Sequence, residues 1–263
     1  MLSKNNKFPI YIPSRGRSNA CKVADVFINE GINNFLIVVE PKEHNDYLKK
    51  YKPENLLKID KDDRGVAYVR NFIKKHSIYS FKSKYHWQFD DNIKSFKKRL
   101  GNKNIKVNAI DNIVFIENYI CNYSNVAVAG MNYTTFAFAE KNEIKINKSP
   151  ASGFIVNNNC SVLYRKGVPV DIDYTLQCLT RNWCTIVFSK LLIEKPGPMT
   201  MPGGCTEIEY GGEKRKDRTL RLKQYWPKIV NIKYKYERYG LIIPPLNKIF
   251  KQLPLLNKTQ HNG

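Results

Sequence analysis

Along the first ninety residues, short apolar runs alternate with segments whose apolar positions recur at helical spacing. Ile10-Tyr11-Ile12, Phe35 to Val39, Leu56 to Ile59 and Tyr85 to Phe89 predict four buried strands. Between them, Ala20, Val23, Ala24, Phe27 and Ile28 share one face of a helix that Ser18 or Asn19 can cap and Gly31 can stop. Pro41 opens a second helix, from Lys42 to about Tyr51, and Gly65 precedes a third, with Val66, Val69, Phe72 and Ile73 on one side, through about Lys75. This alternation predicts an α/β fold with a doubly wound, mostly parallel sheet. In such sheets ligands sit beyond the carboxyl ends of the strands. Two polar motifs fall there: Pro13-Ser14-Arg15-Gly16-Arg17 after the first strand, and Asp90-Asp91-Asn92 after the fourth.

The second half is less regular. A basic connector from Lys94 to Lys106 leads to a helix over about Asp111 to Asn122 and a strand over Val126 to Met131. Lys141 to Lys148 reads as a polar loop. Phe154 to Val156 and Cys160 to Tyr164 read as a hairpin joined at Asn157-Asn158-Asn159. A helix follows Asp171-Ile172-Asp173, and residues 195 to 212, rich in Gly and Pro, read as an active-site loop. No linker interrupts the pattern, which predicts one domain over residues 8–227 and a basic extension over residues 228–263.

Charge sharpens the picture. Lys and Arg number 44 against 23 Asp and Glu, a net charge of +21 over 263 residues. A chain this basic attracts polyanions, and nucleic acid ranks ahead of membrane because no long amphipathic basic helix or lipidation motif accompanies the charge. No apolar run is long enough to span a bilayer, and the polar start of the chain lacks a signal-peptide core, so a cytoplasmic location is expected. Six dispersed cysteines and four dispersed histidines form no zinc-ligand spacing.

The acidic pair Asp90-Asp91 is the candidate metal site. Adjacent carboxylates repel unless a cation lies between them. Mg²⁺ or Mn²⁺ takes oxygen ligands, commonly one or two carboxylates plus substrate phosphates. Arg15 and Arg17 can reach phosphates, Arg70 and Asn71 lie on the helix preceding the acidic strand, and Asp171 or Asp173 can act as a general base.

In order, the motifs Tyr11-Ile12-Pro13-Ser14-Arg15-Gly16-Arg17, Val38-Val39-Glu40-Pro41, Gly65 with Val69-Arg70-Asn71, and Trp87-Gln88-Phe89-Asp90-Asp91-Asn92-Ile93 resemble the TET-associated glycosyltransferases. These are enzymes of the GT-A fold, found largely in phages and related to the base J glucosyltransferases. The similarity continues through Val170-Asp171-Ile172-Asp173-Tyr174 and Gly203-Gly204 with Glu207, Glu209 and Tyr210. The resemblance implies a nucleotide-sugar donor such as UDP-glucose, a divalent metal (Mn²⁺ or Mg²⁺), and the hydroxyl of a 5-hydroxymethylpyrimidine in DNA as acceptor. For a phage protein it implies the host cytoplasm. Carried over by position, Pro13, Ser14, Arg15, Arg17, Glu40, Gly65, Arg70, Asn71, Asp90, Gly203 and Gly204 bind the donor, Asp91 with Asp90 holds the metal, and Asp171 is the base of an inverting displacement.

Two positions depart from the pattern. Asn92 stands where many such enzymes place an acid, which favours Asp91 as the direct metal ligand. Val170 replaces the Glu of a Glu-Asp pair, which leaves Asp171 and Asp173 both open as the base. A monomer is expected. The rival functions are transfer to a polysaccharide or protein, a nucleic-acid-binding relative without turnover, and a nucleotidyltransferase. The last would call for a Gly-rich phosphate loop that Pro-Ser-Arg-Gly-Arg does not provide.

Overall fold

A computed structural model describes residues 6–139, 142–197, 200, 202–204, 212–235 and 238–257. The first four strands are β1 (Ile10–Pro13), β2 (Phe35–Val39), β3 (Leu56–Lys58) and β4 (Tyr85–Phe89), all mutually parallel in the order β3-β2-β1-β4. The side chains of β1, β2 and β4 are largely buried on both faces, which is why β1 and β2 read as apolar runs, while β3 is only half-buried, with Lys58 exposed. Helix α1 (Lys22–Asn29) packs on one face of this block through Val23, Ala24 and Phe27. A short helix, α2 (His44–Leu48), follows β2, and α3 (Val66–Phe81) covers the opposite face through Ile73, against Tyr11, Val38 and Ile59. The expected doubly wound arrangement is therefore present.

The sheet continues to ten strands by additions of mixed direction. β5 (Ser95–Leu100) and β6 (Lys103–Val107) form an outer hairpin, and α4 (Ala109–Ile120) packs on the α1 face. β7 (Val126–Tyr133), β8 (Ile144–Ile146), β9 (Gly153–Asn157), α5 (Val170–Leu179) and β10 (Cys184–Glu194) complete the order β3-β2-β1-β4-β9-β7-β10-β5-β6, with β8 on β10. β9 runs antiparallel between β4 and β7.

Four local expectations are corrected. The connector 94–106 is the β5–β6 hairpin, its strand character masked by lysines that suit an edge. The polar stretch 141–148 contains β8, paired with β10. Cys160 to Tyr164 forms no strand, because α3 meets its backbone instead. Lys74 Nζ donates to the carbonyls of Cys160 and Val162, and Asn71 bonds both the N–H and the C=O of Tyr164. Helix α1 starts at Lys22, without side-chain capping, because Arg17 to Ala20 form a turn first.

Beyond the sheet, α6 (Gly212–Tyr225), the two-stranded ribbon β11 (Asn231–Lys235) and β12 (Arg238–Ile242), and α7 (Leu246–Ile249) pack back onto α5. Val168, Leu176, Leu222 and Val230 form a buried cluster there, flanked by Trp226, Leu241 and Phe250. Among the described residues no helix is long and apolar enough to cross a membrane.

Candidate active site

A cavity of about 570 Å³, within the range of small-molecule sites, opens at the carboxyl ends of β1, β2 and β4. Of the residues expected from the sequence, Pro13, Ser14, Arg15, Arg17, Glu40, Gly65, Arg70, Asp90, Asp91, Asp171 and Gly204 line it. One side is apolar, formed by Val38, Val39, Ile59, Val66 and Val69. The other is charged.

Each pocket acid has a cationic partner. Arg15 pairs with Glu40 and with Asp63, which Lys42 also holds. Arg17 pairs with Asp91, Arg70 with Asp171, and Lys195 with Asp90 at 2.8 Å. The sequence suggested that a shared metal quiets the repulsion of Asp90 and Asp91. In the structure two protein cations do so, on different sides. Asp91 is turned into the protein, where one oxygen takes Arg17 and the other accepts from Ser14 Oγ at 2.8 Å. Burial pushes its carboxyl up against the pull of Arg17 and Ser14. Asp90 is one-third exposed; partial desolvation opposes its charge, yet Lys195 and Arg70 outweigh that cost and hold its carboxyl below the usual range. Its Oδ2 accepts from Lys195 and from Ser152 Oγ at 2.6 Å; Ser152 in turn meets the Tyr133 hydroxyl at 2.7 Å.

Arg17 is a structural clamp as well as a pocket wall. Besides Asp91 it donates to the carbonyls of Pro202 and Gly203 at 3.0 and 3.2 Å, and Gly204 N–H donates to Arg15 C=O at 2.8 Å. Gly203 and Gly204 sit at φ of +75° and +71°. A Cβ on Gly203 would come within 2.7 Å of the Gly16 carbonyl, so the close approach of these two loops needs glycine. Of the remaining motif residues, Glu207, Glu209 and Tyr210 lie outside the described residues.

The two candidate bases separate cleanly. Asp171 opens α5 at the pocket wall, one-third exposed, and pairs with Arg70. The Arg70 guanidinium is itself wedged against the rings of Phe154 and Tyr164, at 5.1 and 5.3 Å. Asp173 has 0% exposure and is bound by Arg165, Gln177 and Trp226, so it is framework. Asn71 is framework too, held on the Tyr164 backbone.

Sequence reasoning did not single out Lys195, Ser152, Tyr133 or Asn92 as binding residues. Lys195 follows the long strand β10, and that placement needed the strand. Asn92 lines the pocket, and its Oδ1 is buried with no hydrogen-bond partner. The Glu40 Oε2 is likewise buried and without a hydrogen bond, though Lys42 Nζ lies 3.6 Å away. Buried acceptors left open at a cavity wall suit a ligand that brings donors or a cation.

For a divalent cation, Asp91 does not fit as a direct ligand, because both oxygens are already engaged. Asp90 Oδ1 and Asn92 Oδ1 do fit, as hard oxygen donors at the pocket. Among the described residues no group of three or more His, Cys, Asp or Glu gathers as a metal cage. A cation here would therefore draw its remaining ligands from a phosphate-bearing substrate and water.

The sequence profile of the family described as TET-Associated Glycosyltransferase matches residues 8–204. No curated protein matches the chain. Among solved structures, A197 from STIV superposes with a TM-score of 0.44 and 10% identity, over 97% of this chain and 99% of that one. The inositol-1-phosphate CTP transferase from T. maritima gives 0.44 and 9%, over 76% and 93%.

Proposed function

Since the chain belongs to the TET-associated glycosyltransferase family, we propose that it moves a sugar, in the first instance glucose, from a UDP-sugar to the hydroxyl of a 5-hydroxymethylpyrimidine in DNA. The observation that carries this reading is one cavity that holds an apolar slot, a cationic bank and two part-exposed carboxylates, Asp90 beside Lys195 and Asp171 beside Arg70. The slot of Val38, Val39, Ile59 and Val69 suits a flat nucleobase, and Glu40 Oε2 can accept from a ribose hydroxyl. Arg15, Arg70 and Lys195 face the space for the diphosphate. Fixed cations aimed where negative charge develops stabilise a departing diphosphate without reorganising.

In the proposed step, the acceptor hydroxyl oxygen forms a bond to the anomeric carbon while the bond from that carbon to the phosphate oxygen breaks. The electron pair leaves with UDP. The hydroxyl proton passes to a carboxylate oxygen of Asp171, which Arg70 keeps oriented. Attack opposite the leaving group inverts the anomeric centre. A divalent metal, when bound at Asp90 and Asn92, would add Lewis-acid neutralisation of the diphosphate. Reaching a base inside a duplex calls for flipping it out, at about a few kcal/mol.

The test is a split between donor and acceptor chemistry. Asp171→Asn is expected to bind UDP normally and to lose sugar transfer by about 10²-fold or more. Full transfer by that variant removes the assigned base. Transfer to a polysaccharide or protein, with none to hydroxymethylated DNA, replaces the acceptor.

A further inference from the structure

The family match stops at residue 204, yet the pocket does not. Arg215, Arg218 and Thr219 of α6, and Tyr239, Gly240 and Leu241 of β12, form part of its wall. The reaction site is thus completed by a segment outside the shared family region. That segment, residues 212–242, holds ten Lys and Arg against three Asp and Glu, a surplus of seven within a whole-chain net charge of +21.

The ribbon in this segment has two different faces. Cross-strand pairing sets Tyr234 opposite Tyr239 and Ile232 opposite Leu241. These four share one face by strand alternation, and Tyr239 and Leu241, with the intervening Gly240, line the pocket. The Tyr234 and Tyr239 rings lie 4.9 Å apart, and Tyr234 is 62% exposed. An exposed aromatic beside a second ring at a cavity mouth offers a platform for another flat ring. The other face carries Lys233, which lies across Gly240, while Lys216 of α6 sits 5.7 Å from the Tyr239 ring.

We propose that α6 and the β11–β12 ribbon form the nucleic-acid dock, with exposed Tyr234 stacking on a nucleobase at the pocket mouth beside the tilted Tyr239 ring, and Lys216 and, from the other face of the ribbon, Lys233 holding the flanking phosphates. This rests on the acceptor assigned above and gives it an address. Stacked aromatics interleaved with cations are how sequence-tolerant single-strand sites work, the rings supplying affinity and the cations the salt dependence. The dock selects a strand with an unstacked base and leaves the donor side of the cavity to β1, β2 and β4.

The test measures binding of the full chain to a fluorescent hydroxymethylated oligonucleotide by anisotropy across a potassium chloride series. UDP titration serves as a check on folding and on the donor site. Lys216→Gln with Lys233→Gln is expected to weaken binding and to shrink the log–log salt slope by about two. Tyr234→Ala is expected to weaken binding about five- to a hundredfold with little change in slope. Unchanged DNA affinity and slope in the lysine double variant, with UDP binding intact, overturns the dock. So does a Tyr234→Ala protein that binds DNA as tightly as the parent while the lysine changes weaken heparin and DNA alike, because the surface would then be a general polyanion patch. Intact, ribbon-dependent DNA binding without turnover of any nucleotide sugar supports the dock and removes the sugar-transfer reading instead.

Discussion

Asp171 and Asp173 show how far residue identity alone can mislead. They stand two apart at the start of one helix, where the dipole favours any carboxylate. The sequence offered no way to choose between them, because the choice depends on Arg165, Gln177 and Trp226 closing around Asp173 and on α3 carrying Arg70 to Asp171. Asp173→Asn is expected to leave one-third-exposed Arg165 facing a neutral partner and to weaken the bonds from Gln177 and Trp226, at a cost of about 1–3 kcal/mol. Chemical denaturation checks it, and the Asp171→Asn protein should unfold much nearer the parent. Lys195 is the residue with the largest predicted effect outside the original motif set. Lys195→Ala removes the cation on Asp90 and is expected to lower kcat for transfer by about a hundredfold. A steady-state rate within a factor of two of the parent would deny it a part in holding the diphosphate.

The strands β1 and β2 were legible because burial on both faces writes an apolar run, and β4 because its aromatic positions alternate with His86 and Gln88. The β5–β6 hairpin and β8 were not, since edge strands keep polar residues on their open side. The Cys160 to Tyr164 segment was misread for a third reason: its backbone partners are side chains of α3, which no local pattern announces. Two predictions belong at this scale. The loop from Ser14 to Arg17 and the loop from Pro202 to Gly204 are joined by backbone approach at Gly203, so Gly203→Ala is expected to cost about 1–3 kcal/mol and to weaken UDP binding. Thermal melts with and without UDP measure both effects. In β4, buried His86 is held neutral: Gln88 Nε2 donates to its Nε2, and its Nδ1 donates to Asn158 Oδ1. Burial, aided by nearby Lys74, pushes its pKa down to about 3. The unfolded chain takes up a proton near 6.5 that the folded chain refuses, so this group's contribution to stability is whole above about 6.5. It is lost progressively as pH falls toward 3, at up to about 1.4 kcal/mol per unit. The melting temperature of His86→Gln should therefore fall less steeply between pH 7 and 5 than that of the parent. Parallel slopes would show that other groups carry the acid sensitivity.

At the scale of the whole molecule, sequence order and sheet order together bring the acidic, arginine and glycine motifs to one cavity. The α/β class and the carboxyl-end location followed from periodicity and strand-end placement, and part of the wall from the family motifs. The pairing of Asp91 with Arg17 and of Asp90 with Lys195 did not, because Lys195 lies more than a hundred residues downstream, just after β10. The boundary placed at residue 227 meets a packed surface: Val230, Leu241 and Phe250 cover Leu222, Leu176 and Val168. A chain ended at residue 227 is expected to melt well below the full protein, and an unchanged melting temperature would mark residues 228–263 as dispensable for the fold. The most direct measurement of the central claim is the mass of nucleosides released from 5-hydroxymethylpyrimidine DNA after incubation with the full chain, UDP-glucose and Mn²⁺. The account predicts a hexose on the hydroxymethyl base, absent when Asp171→Asn replaces the parent. Unaltered nucleosides across a panel of nucleotide sugars, from protein that binds both UDP and DNA, would contradict it.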